Sequence, residues 1–287
     1  MDLKKISLEI NDLLEERRKK ISLSFIEENH IYFMKSKSGK IKNDFPSVST
    51  VLKCFYEPFD SETISLRKAN GDYGEQQKLL EQWQRAADYA TNMGSRVHYE
   101  LEKDLVHRYG NYKEVRMPIF EIDEDQKYTS NFMIDAGKDF IDKMTERGAV
   151  LLDTEIVLGD PDLGYTGQPD KVWLMENKTK DNFGIVITDW KTNQPKNFET
   201  HYYTSQMFPP FEHLPDTALS HYYVQIPLYA KLLLKMLEGT KYENIPYLGG
   251  VVVLLTKEGE YVEYKIPQEI NKKVLEMNIQ DYLKIQV

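Results

Sequence analysis

Cysteine is almost absent: the 287-residue chain has one, Cys54. A single thiol excludes an intramolecular disulfide, a cysteine-based zinc site and a four-cysteine iron–sulfur cluster built from this chain alone. Cys54 lies in "SVSTVLKCF", an apolar helical stretch, and is expected as a buried core thiol. Long apolar runs are missing as well, and none approaches the ~20 residues of a membrane span. The opening "MDLKKISLEINDLLEERRKK" has no secretory apolar region and is too acidic for a transit peptide, so a cytoplasmic location with no membrane partner is expected. Internal repeats and low-complexity linkers are also lacking.

Positive charge is outnumbered, 37 lysines and arginines against 46 acids for a net charge of −9, but the deficit is local. Residues 111–165 hold 13 acids and 6 bases, which accounts for most of it. Basic patches elsewhere remain compatible with a phosphate-bearing partner.

At 41% hydrophobic the chain can bury a sizeable core. Residues 3–20 read as an amphipathic helix. "SFIEENHIYFMKSKSGKIKNDF" reads as a hairpin turning at "KSGK", and a serine in "PSVST" is a candidate helix N-cap. Residues 60–108 are mostly helical, with breaks predicted at "ANGDYG" and "TNMG"; another helix is predicted over 124–147. Three strand candidates follow: "AVLLDTEIVLG", "LGYTGQPDKVWLM" and "FGIVITDWKT". A helix around "TALSHYYVQIPLYAKLLLKML", a hairpin of "GGVVVLLT" with "EYVEYKI", and a closing helix over 267–285 complete the order. This order predicts an α/β fold with a mixed sheet flanked by helices.

"GIVITDWK" carries an ionic end on an apolar strand. Side chains alternate along a strand, so Asp189 and Lys191 share a face with Ile185 and Ile187, while Val186, Thr188 and Trp190 share the other. Acid-x-lysine is not distinctive by itself, because Asp2–Lys4, Asp125–Lys127, Glu176–Lys178 and Glu263–Lys265 show it too. A surface ion pair is the plain alternative.

Its companions separate this triplet from the others. Asp170 lies near the start of the apolar strand before it; Gly167 permits a tight or bulged approach, and Pro169, which cannot donate to a ladder, suggests a bulge or an edge. A hairpin of the two strands would bring Asp170 near Asp189 only if its register is staggered. Two close carboxylates repel unless a cation lies between them, and hard oxygen ligands suit Mg²⁺ or Mn²⁺. On an upstream helix, His98 and Glu102 are one turn apart, and Gly94 just before them suggests a close approach to another backbone. Downstream, Gln225 and Tyr229 are one turn apart if the helix runs through Pro227. If it begins at Pro227, that pairing is lost.

In order, these features are Gly94-x3-His98-x3-Glu102, Gly167-x2-Asp170, Asp189-Trp190-Lys191-Thr192 and Gln225-x3-Tyr229. The set resembles the PD-(D/E)xK nuclease superfamily, in its RecB-like exonuclease branch of phage, lambda-type and mitochondrial single-strand exonucleases. "FPSVSTVL" resembles their N-terminal part, and the resemblance spans about residues 30–265. It implies a restriction-endonuclease-like core over 91–287, with a hairpin and helical extension over 1–90 packed on it as one structural unit. It implies Mg²⁺ or Mn²⁺, one or two ions, and no iron–sulfur cluster. His98, Asp170, Asp189 and the Trp190 main-chain carbonyl would hold metal, and Lys191 would orient or activate the attacking water. Gln225 and Tyr229 would assist, with Glu102 and Glu155 in supporting positions.

The activity so implied is a deoxyribonuclease, foremost an exonuclease in DNA recombination, repair or phage DNA processing, in a bacterial or phage-infected cell. An endonuclease or flap nuclease with the same site, and a catalytically silent DNA-binding or assembly subunit, are the alternatives. The partner would be single-stranded DNA or duplex ends, with a homo-oligomer or a recombination partner protein left open. Arg67, Lys68, Arg85, Arg96 and Thr192 are the candidate DNA contacts, against the plain reading of a solvated helix face.

Overall fold

The computed structural model describes residues 2–26, 29–109, 115–177, 182–193, 195, 198–199 and 205–283. α1 (Leu3–Lys20) is capped by Asp2, whose carboxylate accepts the Lys5 N–H at 3.1 Å. Its buried stripe of Leu3, Ser7, Ile10 and Leu14 has the helical period. β1 (Ser24–Ile26), β2 (Ile31–Lys35) and β3 (Ile41–Lys42) make a three-stranded antiparallel sheet, so the predicted hairpin is its β2–β3 half. Ser47 caps α2 (Val48–Leu52), and a 3₁₀ turn over Lys53–Phe55 follows. That turn gives the core position to Phe55, which leaves Cys54 half-buried instead of buried.

α3 (Ser61–Lys68) ends at the predicted "ANGDYG" break, where Asn70 and Gly71 take positive φ. The second predicted break is absent: α4 (Tyr73–Tyr109) runs 37 residues straight through "TNMG" and across residue 90. A mid-helix glycine costs roughly 0.5–1 kcal/mol against alanine. Packing of Val97, Leu101 and Leu105 against α5 (Glu124–Glu146) offsets that. The first half of α4 buries only Gln76.

Two of the predicted strands are each split. "AVLLDTEIVLG" becomes β4 (Val150–Thr154) and β5 (Leu158–Asp160), broken at Glu155 with φ +44°. "LGYTGQPDKVWLM" becomes β6 (Tyr165–Gly167) and β7 (Lys171–Asn177), broken where Pro169 removes a ladder donor. β5 and β6 pair with each other as a separate two-stranded sheet. β8 (Asn182–Lys191) follows β7. α6 (Ala218–Met236) is capped by Thr217 and continues through Pro227, so the helix does not begin at the proline. β9 (Tyr247–Leu255) and β10 (Tyr261–Lys265) form the expected hairpin. The closing helix is two pieces, α7 (Gln268–Glu276) and α8 (Gln280–Leu283), and its last predicted residues lie outside the described ones.

The main sheet has the order β10-β9-β8-β7-β4; β8 and β9 are parallel and the other pairs antiparallel. The mixed α/β sheet flanked by helices is therefore present. One face carries Val172, Leu174, Ile185, Ile187, Val252 and Leu254 against α6 and α7. Ile10 and Leu14 of α1 and Phe55 join the same cluster. The other face carries Trp173, Trp190 and Val253 against α4 and α5. A strand covered on both sides has to be apolar on both, which is why β8 reads as a continuous greasy run. The β4 edge is closed by α1: Ser7 Oγ and Asn11 Nδ2 donate to the Leu151 and Leu152 carbonyls at 2.9 and 2.6 Å, at the bulge in β4. Among the described residues, no helix is long and apolar enough to cross a membrane.

Candidate active site

In the β7–β8 ladder Lys171 faces Thr188 and Val172 faces Ile187. One step further, Asp170 comes level with Asp189. No stagger is needed: Asp170 immediately precedes β7 and Asp189 lies two residues before the end of β8, so the plain antiparallel register carried one step on sets them level. The Asp170 carboxylate turns onto the end of β8, where its Oδ2 accepts the Trp190 N–H at 2.8 Å.

α4 brings His98 to this point, with Nδ1 at 3.5 Å from Asp170 Oδ2. The ring also donates a hydrogen bond to the Trp190 carbonyl, which favours its protonated form. Glu155 arrives at the break after β4. Its N–H donates to the Asp170 carbonyl at 3.0 Å, and its own carbonyl accepts Gln168 Nε2 at 3.1 Å. A positive φ at a non-glycine residue is uncommon and strained, and here it re-aims a carboxyl toward the aspartate. Among the described residues, one ligand atom from each of His98, Glu155 and Asp170 lies within 4.8 Å of the others. An imidazole with two carboxylates fits a hard or borderline divalent ion such as Mn²⁺ or Mg²⁺.

Asp189 is outside that group of three; its Oδ2 is 2.5 Å from Lys191 Nζ. Lys191 Nζ also lies 4.2 Å from the centre of the Tyr222 ring on α6. The face assignment read from the alternation is realised, since Lys191 points to α6 while the Trp190 ring packs edge-on against Phe140 of α5. Trp190 thus meets the site through its backbone, and its ring belongs to the core.

The electrostatics separate the two aspartates. Burial favours the neutral form of Asp170, but Lys171, His98, Lys191 and the Trp190 N–H outweigh it and bring its pKa down to about 2. Burial and the charge of Asp170 raise Asp189 to about 6, against the pull of Lys191. Burial lowers His98 to about 4 in spite of Asp170, which leaves a neutral imidazole at pH 7, the form that ligates metal. Burial works against the charge on Lys191, yet Asp189 holds its pKa above the usual lysine range.

Two glycines let the helices close on the strands. A Cβ at Gly94 would lie 3.2 Å from Thr192 Oγ1, so α4 passes tightly over the end of β8. A Cβ at Gly167 would stand 2.7 Å from both Tyr229 Cε1 and Val48 Cγ2. Tyr229 is therefore seated against β6, and Gln225 Nε2 donates to its hydroxyl at 2.8 Å, so the helical pairing survives the proline. Glu102 accepts from Thr154 Oγ1 at 3.0 Å.

A cleft of 580 Å³ opens beside the site, lined by Gly94, His98, Glu102, Arg116, Glu155 and Gln168 among others. Asp189 and Lys191 do not line it. A larger cleft of 760 Å³ between α1, the end of α4 and α5 holds no comparable set; its Arg108 is tied to Asp104 and Asp142. No family model matches this chain, and no curated protein matches it.

The candidate DNA contacts divide. Arg96 ties α4 to α5, donating to Asn131 Oδ1 at 2.7 Å, to the Lys127 carbonyl at 3.3 Å and to Ser130. Arg67, Lys68 and Arg85 are exposed; Lys68 lies over the Trp83 ring and Arg85 pairs with Glu81 at 3.8 Å. Sequence reasoning missed Lys171, Tyr222 and Arg116. Lys171 had a visible signal, a charge inside the apolar run "PDKVWL"; Tyr222 and Arg116 had none.

Proposed function

We propose that this chain is a Mg²⁺- or Mn²⁺-dependent DNA nuclease with a restriction-endonuclease-like core, acting as an exonuclease on single-stranded or duplex ends. One observation carries the reading: the His98–Glu155–Asp170 group stands beside the Asp189–Lys191 pair, at matched ends of adjacent strands. His98, Glu155 and Asp170 would hold the ion, with the Trp190 carbonyl next to them. A divalent ion bound there supplies charge to offset the phosphate and acidity for an attacking water.

The residues around it have separable tasks. Lys191 keeps its proton at neutral pH, so it serves as a fixed cation for charge developing on the phosphate and not as a base. Asp189 and the Tyr222 ring hold that cation in place. Gln225 and Tyr229 brace β6, three residues before Asp170, and Arg67, Lys68 and Arg85 are left for the DNA backbone.

Digestion of end-labelled and circular DNA, single- and double-stranded, with Mg²⁺, Mn²⁺ or EDTA tests this. Metal-dependent loss of label from linear substrates is expected, with circles resistant. Lys191→Ala is expected to lose about 10²–10³-fold in cleavage rate while DNA affinity measured in Ca²⁺ persists. Equal cutting by Lys191→Ala and wild type refutes the assignment. Binding without cleavage under every metal points to a silent DNA-binding subunit instead.

A further inference from the structure

One buried cation has no part in that chemistry. The Lys171 side chain is 1% exposed, and its Nζ has no hydrogen-bond partner. It lies 4.4 Å from the centre of the Trp190 ring and 3.5 Å from Asp170 Oδ2. Lysines are almost never buried so fully unless paired, because an ammonium is strongly hydrated. Asp170 is the carboxylate it reaches.

That contact uses up one side of Asp170. Oδ2 already accepts the Trp190 N–H at 2.8 Å and has Lys171 Nζ and His98 Nδ1 each at 3.5 Å, which leaves Oδ1 for an added ion. Asp189 Oδ2 is ion-paired in its turn, 2.5 Å from Lys191 Nζ. In two-metal sites the ions stand about 3.5–4 Å apart, a spacing that carboxylates bridge with one oxygen on each. On each aspartate, one oxygen already faces an ammonium that competes with a second ion. Charge leads to the same result. Asp170 and Asp189 face the ammoniums of Lys171 and Lys191, so those charges balance; one divalent ion then adds two positive charges, which the Glu155 carboxylate as a ligand and a phosphodiester offset. A second ion would leave a large uncompensated positive charge in a buried site.

We propose that this site takes one divalent cation, with Lys171 built in as the positive charge that a second ion would otherwise supply. The inference rests on the metal-dependent reading above. Calorimetric titration of the full chain with Mn²⁺ alone tests it, with electron paramagnetic resonance of the bound ion beside it. One ion per chain and the spectrum of an isolated Mn²⁺ are expected. Lys171→Met, checked for native circular dichroism, is expected to bind Mn²⁺ about tenfold more tightly, because a fixed positive charge near the ion is gone. Two ions per wild-type chain, or a spin-coupled pair, overturn the proposal. So does unchanged affinity in folded Lys171→Met. If that variant fails to fold, the wild-type count still decides. No Mn²⁺ binding by wild type sinks the metal-dependent reading itself, an outcome distinct from a count of two.

Discussion

Lys191→Met removes an ammonium and keeps most of its stem. What it leaves is Asp189, 3% exposed, beside a second carboxylate that already raises its pKa. Breaking one side of a buried pair costs about 3–5 kcal/mol. The Lys191 side chain is 17% exposed, so water screens part of the interaction and the low end, about 3 kcal/mol, applies. Asp189 can limit the loss by taking a proton. Its folded pKa is about 6 against an ordinary 3.8, and losing the ammonium moves it higher. A group whose folded pKa is raised favours the native state at low pH, so the penalty is largest at pH 8 and shrinks as pH falls through 6. Urea denaturation in EDTA at pH 8 and pH 5 measures it for wild type, Lys191→Met, Asp189→Asn and the double variant. The double variant is expected to recover most of the loss, since no buried charge is orphaned. A penalty at pH 8 below about 0.5 kcal/mol, the range of exposed pairs, refutes the reasoning. So does one that does not shrink at pH 5.

Gly167→Ala places a methyl 2.7 Å from Tyr229 Cε1 and Val48 Cγ2, and the overpacking is expected to cost about 1–3 kcal/mol in chemical denaturation. A neutral effect means that Tyr229 moves freely. His98 has a folded pKa near 4 against an ordinary 6.5, so its neutral form contributes stability that is present above 6.5 and lost as pH falls toward 4. Wild type should lose up to about 1.4 kcal/mol per pH unit in that window from this group. His98→Gln should lose that share of the slope and bind Mn²⁺ more weakly; an unchanged slope contradicts the burial argument.

The sequence was most legible where one element reports on itself. The alternation in "GIVITDWK" placed Asp189 and Lys191 toward one side and Trp190 toward the other, and the structure has them so. Gly94 and Gly167 announced close approaches; the backbone expected near Gly94 is instead the Thr192 hydroxyl, and Gly167 meets the Tyr229 ring and Val48. The strand break at Glu155 went unread, because a run of apolar residues has the same pattern whether or not the chain turns; at Pro169 the missing ladder donor pointed to a bulge or an edge, and the structure has a full break between β6 and β7. The unbroken passage of α4 through Gly94 was also missed, since a local helix penalty says nothing of the packing that offsets it.

By itself the sequence determined the coarse succession of helices and strands, the two-faced burial of β8 and the identity of the chemical groups at its end. Periodicity records which side of an element is apolar, and that much is local. Only the tertiary structure decided which carboxylate joins His98: Glu155 stands with Asp170 within 4.8 Å, while Asp189 is held by Lys191. That choice depends on a positive φ after β4, an unstaggered β7–β8 register and a helix from the far side of the sheet. These are distances across the fold, which no periodicity along the chain encodes. The same holds for Lys171, a plain charge in a strand until burial places it against Asp170.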